Sequence, residues 1–182
     1  MSILFNVLMI IFNLIGLYFV IREVGMKFIQ FYTLLSNNLN MLSAIIFLID
    51  PVKAVDLRYT SVCMLVITFI ITLFILVPAE GSGGFKAMFG TGLTFFHHLV
   101  CPFLSFFSYL LWESHSQKWY LPFGITLIYT FIFLYLNYKG KVDGPYPFFR
   151  IKKNGIKNTV ITLTFLALFV LAVCIGITVI AD

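Results

Sequence analysis

The chain has 182 residues, of which 61% are hydrophobic, 18% aromatic and only 10% charged, and its mean hydropathy is +1.04. Soluble domains are about 45–50% apolar and about 25% charged, so this composition excludes a soluble globular fold, and the many Phe and Tyr residues exclude a disordered chain. The net charge of +5 would suit nucleic acid, but the basic residues lie in short segments between apolar runs, as in membrane proteins. We therefore predict a membrane-embedded protein with no nucleic-acid partner.

Six apolar runs are long enough to cross a bilayer as helices, which takes about 20 residues each. Helices suit lipid because they satisfy every backbone polar group internally. The prediction is one all-α domain over residues 1–182, a bundle of six transmembrane helices, with spans at about 2–21, 28–49, 59–79, 90–112, 119–138 and 159–180. The first run has no basic segment before it and no small-residue cleavage site after it, so we expect a retained span rather than a signal peptide.

Lys and Arg are unequally distributed between the two ends of the predicted bundle. The loops between spans one and two, three and four, and five and six carry nine, whereas the opposite loops carry only Lys53, Arg58 and Lys118. The positive-inside rule then places the basic loops in the cytoplasm and both termini outside. We expect a multi-pass protein of the cell membrane.

Polar side chains on the second span form one face of the predicted helix. Polar groups inside lipid are expensive and usually face a bundle interior or a wet cavity, so each is a candidate functional residue. We call this face the helix-two polar face. At 3.6 residues per turn it carries Gln30, Thr33, Ser36, Asn37 and Asn40, whereas Asn38 points in another direction.

The fourth span has a similar face centred on His98, with His97 at its edge. The same face carries Thr91, Thr94, Cys101 and Ser105. Pro102 cannot donate a hydrogen bond back to the carbonyl of His98, so we expect the helix to open there.

Thr33 and His98 are predicted to lie in the same layer of the membrane. Both spans start at the cytoplasmic side, which puts the two residues at depths of roughly 9 and 13 Å. A hydroxyl and an imidazole at one depth can act as nucleophile and base, with the histidine taking the hydroxyl proton during attack on an acyl carbon. The Asn37 amide is a candidate donor to the resulting oxyanion.

Each of these residues also has a structural explanation. Ser, Thr and Asn often form interhelical hydrogen bonds worth roughly 0.6 kcal/mol, which applies to Thr33, Asn37 and Asn40. His97 is better explained by bonding to a neighbouring helix and Cys101 by packing, although their spacing of four also permits a Cys–His pair. Close helix packing is predicted for Asn6, Asn13 and Gly16 on the first span and for Ser61, Thr68 and Thr72 on the third.

Three motifs, in order, resemble a known family. They are Tyr32-Thr33-x-x-Ser36-Asn37, then His98-Leu-Val-Cys-Pro102, then Pro145-Tyr-Pro-Phe-Phe149. The chain is similar here to the androgen-inducible and androgen-dependent integral membrane proteins and their small six-helix bacterial relatives. It departs from the bacterial pattern at Ser108, where those relatives tend to have Asp-Trp; here Trp112-Glu113 comes later.

The resemblance implies an atypical threonine hydrolase that cleaves fatty acid esters of hydroxy fatty acids. Thr33 matches the nucleophile. His98 matches the histidine if three residues separate it from Pro102, as in the bacterial relatives, whereas a separation of four selects His97.

The function expected from the sequence is therefore an intramembrane lipid ester hydrolase that needs no metal or organic cofactor. Thr33 and His98 are the expected catalytic residues, and the substrate-binding residues are Ser36, Asn37, Asn40, His97, Cys101 and Tyr146, with Phe148 beside the last. The substrate would be a membrane lipid or acyl ester entering between the helices. The alternatives are a protein that binds or transports a lipid or small molecule, and a purely structural subunit.

Overall fold

A computed structural model describes residues 1–25, 30–90, 92–142 and 146–181, and all regular structure in these ranges is helical. Outside these ranges lie Lys27, one of the nine basic loop residues, Thr91 on the predicted fourth span, and Gly144 and Pro145 directly before Tyr146. The α-helices are α1 Ser2–Val24, α2 Tyr32–Ile49, α3 Pro51–Ile71, α4 Val77–Ala79, α5 Gly84–Phe89, α6 Gly92–Phe95, α7 Cys101–Trp112, α8 Tyr120–Tyr138, α9 Ile151–Asn154 and α10 Ile156–Ala181. Two π-helical segments, Thr72–Leu76 and Phe96–Val100, and two 3₁₀ turns, Gly81–Gly83 and Pro147–Phe149, connect them.

The described chain is helical throughout its regular structure, which confirms the all-α class, and several helices are long and apolar enough to cross a membrane. Within the described ranges five meet this description, namely Ser2–Glu23, Tyr32–Ile49, Pro51–Ala79, Tyr120–Tyr138 and Ile156–Ala181. The predicted fourth span contains a shorter apolar helix, Phe96–Trp112. Large apolar side chains point outward from the bundle, for example Phe74, Phe131 and Phe165, each 65–69% exposed. Exposed apolar surface on this scale is typical of a protein that contacts lipid.

The junction between α2 and α3 is much shorter than the sequence predicted. Asp50 alone separates the two helices, and its carboxylate accepts hydrogen bonds from the backbone N–H groups of Val52 and Lys53, both at 3.2 Å. Pro51 takes the first helical position, where no N–H is needed. The third helix therefore starts at Pro51 rather than near residue 59, and Arg58 lies inside it. Assigning Arg58 to an extramembrane loop was wrong.

Helix α3 is the centre of the bundle and packs against α2, α7, α8 and α10. Its side chains from Arg58 to Leu65 are all buried. A helix buried all round needs apolar or fully paired side chains on every face, which α3 supplies with Val62, Cys63 and Met64.

Contacts around the start of α3 place both termini at one end of the bundle. Arg58 pairs with Glu113, which accepts a hydrogen bond from Asn6 near the N-terminus. The neighbouring Tyr59 hydroxyl bonds to Thr178 near the C-terminus, at 2.8 Å. Helices α1 and α3 therefore begin at this end of the bundle, and α7 and α10 end there.

Both π-helical segments are followed at the same spacing by a proline. The N–H of Cys101 bonds to the carbonyl of Phe96, five residues back, and the N–H of Val77 does the same to Thr72. The next bond of this pattern would have to come from Pro102 or Pro78, which have no N–H. The expected opening of the backbone at the histidines is thus confirmed. Such π-helical insertions often mark functional sites.

Candidate functional site

A cavity of about 390 Å³ lies at the end of the bundle opposite the termini. Its wall includes the start of α2, the end of α4, the second π-helical segment and the segment that begins at Tyr146. The polar side chains on the wall belong to Thr33, Glu80, Thr94, His97, His98, Tyr146 and Arg150. The two residues predicted as nucleophile and base therefore line one chamber.

Thr33 sits in the first turn of α2, where backbone N–H groups have no acceptor four residues back within the helix. Its N–H donates to the Tyr146 hydroxyl at 3.3 Å, and its Oγ1 lies 3.5 Å from the same hydroxyl. Burial raises the pKa of Tyr146, so this hydroxyl keeps its proton well above neutral pH and can donate. Among the described hydrogen bonds, the Thr33 hydroxyl contacts tyrosine rather than either histidine.

His98 has the tautomer that a general base requires. Its Nδ1 lies 2.9 Å from the backbone carbonyl oxygen of Met88 on α5. A carbonyl only accepts hydrogen bonds, so Nδ1 carries the hydrogen and the neutral ring has its lone pair on Nε2. The contact also fixes the ring relative to α5.

His97 is held by α1, as expected for a histidine that bonds to a neighbouring helix. Its Nε2 donates to Asn13 Oδ1 at 2.9 Å and lies 3.3 Å from the Asn13 carbonyl oxygen. Gly16 makes this approach possible, because a Cβ there would lie 2.4 Å from His97 Nε2. This geometry favours His98 over His97 as the base, because the lone-pair nitrogen of His97, Nδ1, is buried without a partner among the described residues.

Asn37 cannot act as the oxyanion donor that the sequence suggested. Its Nδ2 donates to the carbonyl of Thr33 at 2.7 Å and to the carbonyl of His97 at 3.1 Å, which uses both amide hydrogens. The second bond satisfies a carbonyl that Pro102 cannot serve in the π-helical pattern. Asn37 thus holds α2 against the opened backbone of the fourth span.

Ser36, Asn40 and Cys101, all predicted to bind substrate, are fully buried and lie away from the cavity wall. Ser36 bonds to Thr68 on α3 at 3.0 Å, and Asn40 bonds to Ser105 on α7 at 2.8 Å. These contacts are the interhelical hydrogen bonds of the structural explanation. On the helix-two polar face, Thr33 lines the cavity, whereas Ser36, Asn37 and Asn40 join helices.

A buried ion pair, which the sequence analysis missed, lies at the opposite end of the bundle. Arg58 Nε is 2.7 Å from Glu113 Oε2 and Arg58 Nη2 is 3.0 Å from Oε1, and both side chains are 1% exposed. The carboxylate also accepts from Ser108 Oγ at 2.5 Å and Asn6 Nδ2 at 3.1 Å. Arg58 Nη1 donates to Asn40 Oδ1 at 2.7 Å. The available signal was one arginine directly before the predicted third span. From the sequence alone, an arginine in the core at this position could not be distinguished from an arginine in a loop.

A second, smaller pocket of about 60 Å³ adjoins the cavity. Thr33, Leu76 and Tyr146 line both. The remaining wall is mostly apolar and comes from α3, α8 and α10, with Ile67, Ile71, Leu127, Leu163, Ala167 and Val170. Thr72 also lines it, and the Thr72 hydroxyl has no hydrogen-bond partner in the part of the chain that the structure describes.

No family model, curated protein or solved structure matches this chain.

Proposed function

We propose that this protein is an intramembrane lipid ester hydrolase in which Thr33 is the nucleophile and His98 the general base. The supporting observation is that a threonine hydroxyl and an imidazole with its lone pair on Nε2 line one cavity of about 390 Å³. The resemblance to threonine hydrolases selects Thr33 as the nucleophile and, with three residues between the histidine and the proline, His98 as its partner. Fatty acid esters of hydroxy fatty acids, or similar acyl esters, are the proposed substrates.

The reaction proceeds in two steps with His98 moving the proton. Thr33 Oγ1 attacks the acyl carbon while His98 Nε2 takes the hydroxyl proton, and the same proton passes to the departing alkoxide, which leaves as an alcohol. His98 then deprotonates a water molecule that attacks the acyl-threonine ester. The fatty acid leaves, and Thr33 regains its proton from His98.

The oxyanion that forms in each step needs hydrogen-bond donors that are already in place. Because Asn37 has no free hydrogen, we assign this role to the N–H of Thr33 and the hydroxyl of Tyr146. These two groups contact each other at 3.3 Å in the substrate-free protein. On binding, the ester carbonyl oxygen takes the place of the tyrosine oxygen as acceptor of the Thr33 N–H, and Tyr146 turns its own hydrogen toward that oxygen.

The membrane arrangement follows from the charge distribution. We propose six spans in the cell membrane, with Phe96–Trp112 as the core of the fourth, because an even number puts both termini at one end, as the contacts of Asn6 and Thr178 do. The cavity end carries the basic loops and is therefore assigned to the cytoplasm, with both termini outside. Moving Arg58 from a loop to the core leaves Lys53 and Lys118 on the outer face, which increases the asymmetry.

The test is covalent labelling of the full chain in detergent with a fluorophosphonate probe, followed by mapping of the adduct by mass spectrometry. Wild type and Thr33→Ser are expected to be labelled on the peptide that contains residue 33. Thr33→Val keeps the shape of the side chain but lacks the hydroxyl, so its labelling and its ester turnover are expected to disappear. His98→Ala is expected to lower both by at least about 100-fold, the usual contribution of a general base.

Thr178→Val is the matched control, because Thr178 is also a buried hydroxyl of a long helix, bonds to Tyr59 at 2.8 Å and lies at the end of the bundle opposite the cavity. Its labelling is expected to equal that of wild type. Labelling that persists in Thr33→Val would exclude Thr33 as the nucleophile. If wild type binds acyl esters without turning them over, a lipid-binding or transport protein replaces the hydrolase.

A further inference from the structure

We infer that the small apolar pocket is the acyl-chain subsite of this ester site and that Ala167 limits the length of chain it accepts. The inference rests on the proposed function, because the position of Thr33 between the two spaces gives the pocket its role. The alcohol half of the ester would occupy the larger cavity.

The pocket and the cavity meet at three residues. Both spaces are lined by Thr33, Leu76 and Tyr146, so an ester carbon at Thr33 Oγ1 would border the cavity and the pocket. A hydrolysed ester has two halves that leave the reacting carbon in different directions. The structure offers one space for each half.

The two spaces also differ in polarity. Two charged residues occur among the described residues that line the cavity or the pocket, namely Glu80 and Arg150, and both line the larger cavity. Among the residues that the structure describes, no charged side chain lines the pocket, and aliphatic surface comes from Ile67, Leu163 and Ala167. An unbranched hydrocarbon chain is therefore favoured in the pocket, whereas an alcohol half with polar groups is favoured in the cavity.

Ala167 is placed to set the chain length because it is the smallest side chain on the α10 wall of the pocket. Replacing it with leucine adds three carbon atoms to a space of only about 60 Å³. Each methylene buried in an apolar site favours binding about fourfold, the equivalent of about 0.8 kcal/mol. Excluding three methylenes should therefore cost roughly 60-fold in kcat/KM for a long acyl chain.

The test uses p-nitrophenyl esters from acetate to palmitate with the full chain in detergent. Ala167→Leu is expected to lose at least about tenfold in kcat/KM for octanoate and longer esters, with acetate changed less than about twofold. Leu163→Ala enlarges the same pocket and is expected to shift the preference toward longer chains. Ala172→Leu is the matched control on the outward face of α10, and its profile should equal that of wild type. Unchanged chain-length profiles in both pocket variants would overturn the inference.

A photoreactive fatty acid separates this inference from the proposed hydrolase. A diazirine near the end of the chain is expected to label α3, α8 or α10 peptides in wild type, in Thr33→Val and in Ala172→Leu, with at least about fivefold less labelling in Ala167→Leu. That result without any ester turnover would retain the subsite and remove the hydrolase. Turnover that needs Thr33, with labelling at other helices only, would retain the hydrolase and remove the subsite.

Discussion

Replacing Arg58 with methionine removes one half of a buried ion pair while keeping a long side chain in the centre of the bundle. Glu113 would keep hydrogen bonds from Ser108 and Asn6 but would lose both arginine contacts, at 2.7 and 3.0 Å. A buried charge without its counter-ion costs about 3–5 kcal/mol. We expect the same loss when Glu113 alone is replaced with leucine.

The double variant Arg58→Met/Glu113→Leu separates the ion pair from the other contacts. Adding the two single losses would give about 6–10 kcal/mol. In the double variant no charge is left buried, Asn40 keeps its bond to Ser105, and Asn6 keeps its bond to the Ser2 carbonyl. The remaining loss is the unpaired polar groups, about 1–3 kcal/mol.

Unfolding by SDS titration in mixed micelles measures these differences through the fluorescence of Trp112 and Trp119, the only two tryptophans. The exposed pair between Lys118 and Asp56 is the matched control, since its N–O distance is also 2.7 Å but its side chains are 50% and 43% exposed. Lys118→Met should leave the midpoint essentially unchanged. A double variant as unstable as the sum of its parts, or an Arg58→Met loss below about 1 kcal/mol, would refute the reasoning.

The other predictions concern the site and its supports. Gly16→Ala should destabilise the fold by about 1–3 kcal/mol, because its Cβ would lie 2.4 Å from His97 Nε2, whereas Gly176→Ala, with open space around it, should be neutral or slightly stabilising in the same titration. Asn37→Asp should cost at least about 2 kcal/mol, since a carboxylate cannot donate to the two carbonyls that the amide serves; an unchanged midpoint would contradict this. Burial raises the pKa of Tyr146, so the wild type should lose stability as the pH rises above the ordinary tyrosine value of about 10, and Tyr146→Phe should lose less over the same range; parallel curves would rule out this contribution.

The sequence was sufficient for features that depend on local pattern. Apolar runs of membrane length fixed the all-α class and most helices, since lipid leaves few other options for the backbone. Helical periodicity was sufficient for the part of the helix-two polar face that lies in α2, since Thr33, Ser36, Asn37 and Asn40 are all buried while Asn38 is half-buried. Gln30, the remaining predicted member, precedes α2 and is half-buried as well. Pro102 was sufficient for the opened backbone at the histidines.

Other features depend on partners far apart in the chain. Arg58 and Glu113 are 55 residues apart, so the ion pair could not be predicted from local hydropathy. The hydrogen-bond partners of the helix-two polar face also depend on distant parts of the chain, because periodicity gives the direction of a side chain but not the residue that it contacts. The packing of α2 against the second π-helical segment decides these outcomes. Because of it, the Asn37 amide donates both hydrogens to backbone carbonyls, whereas Thr33, one turn earlier, lines the cavity.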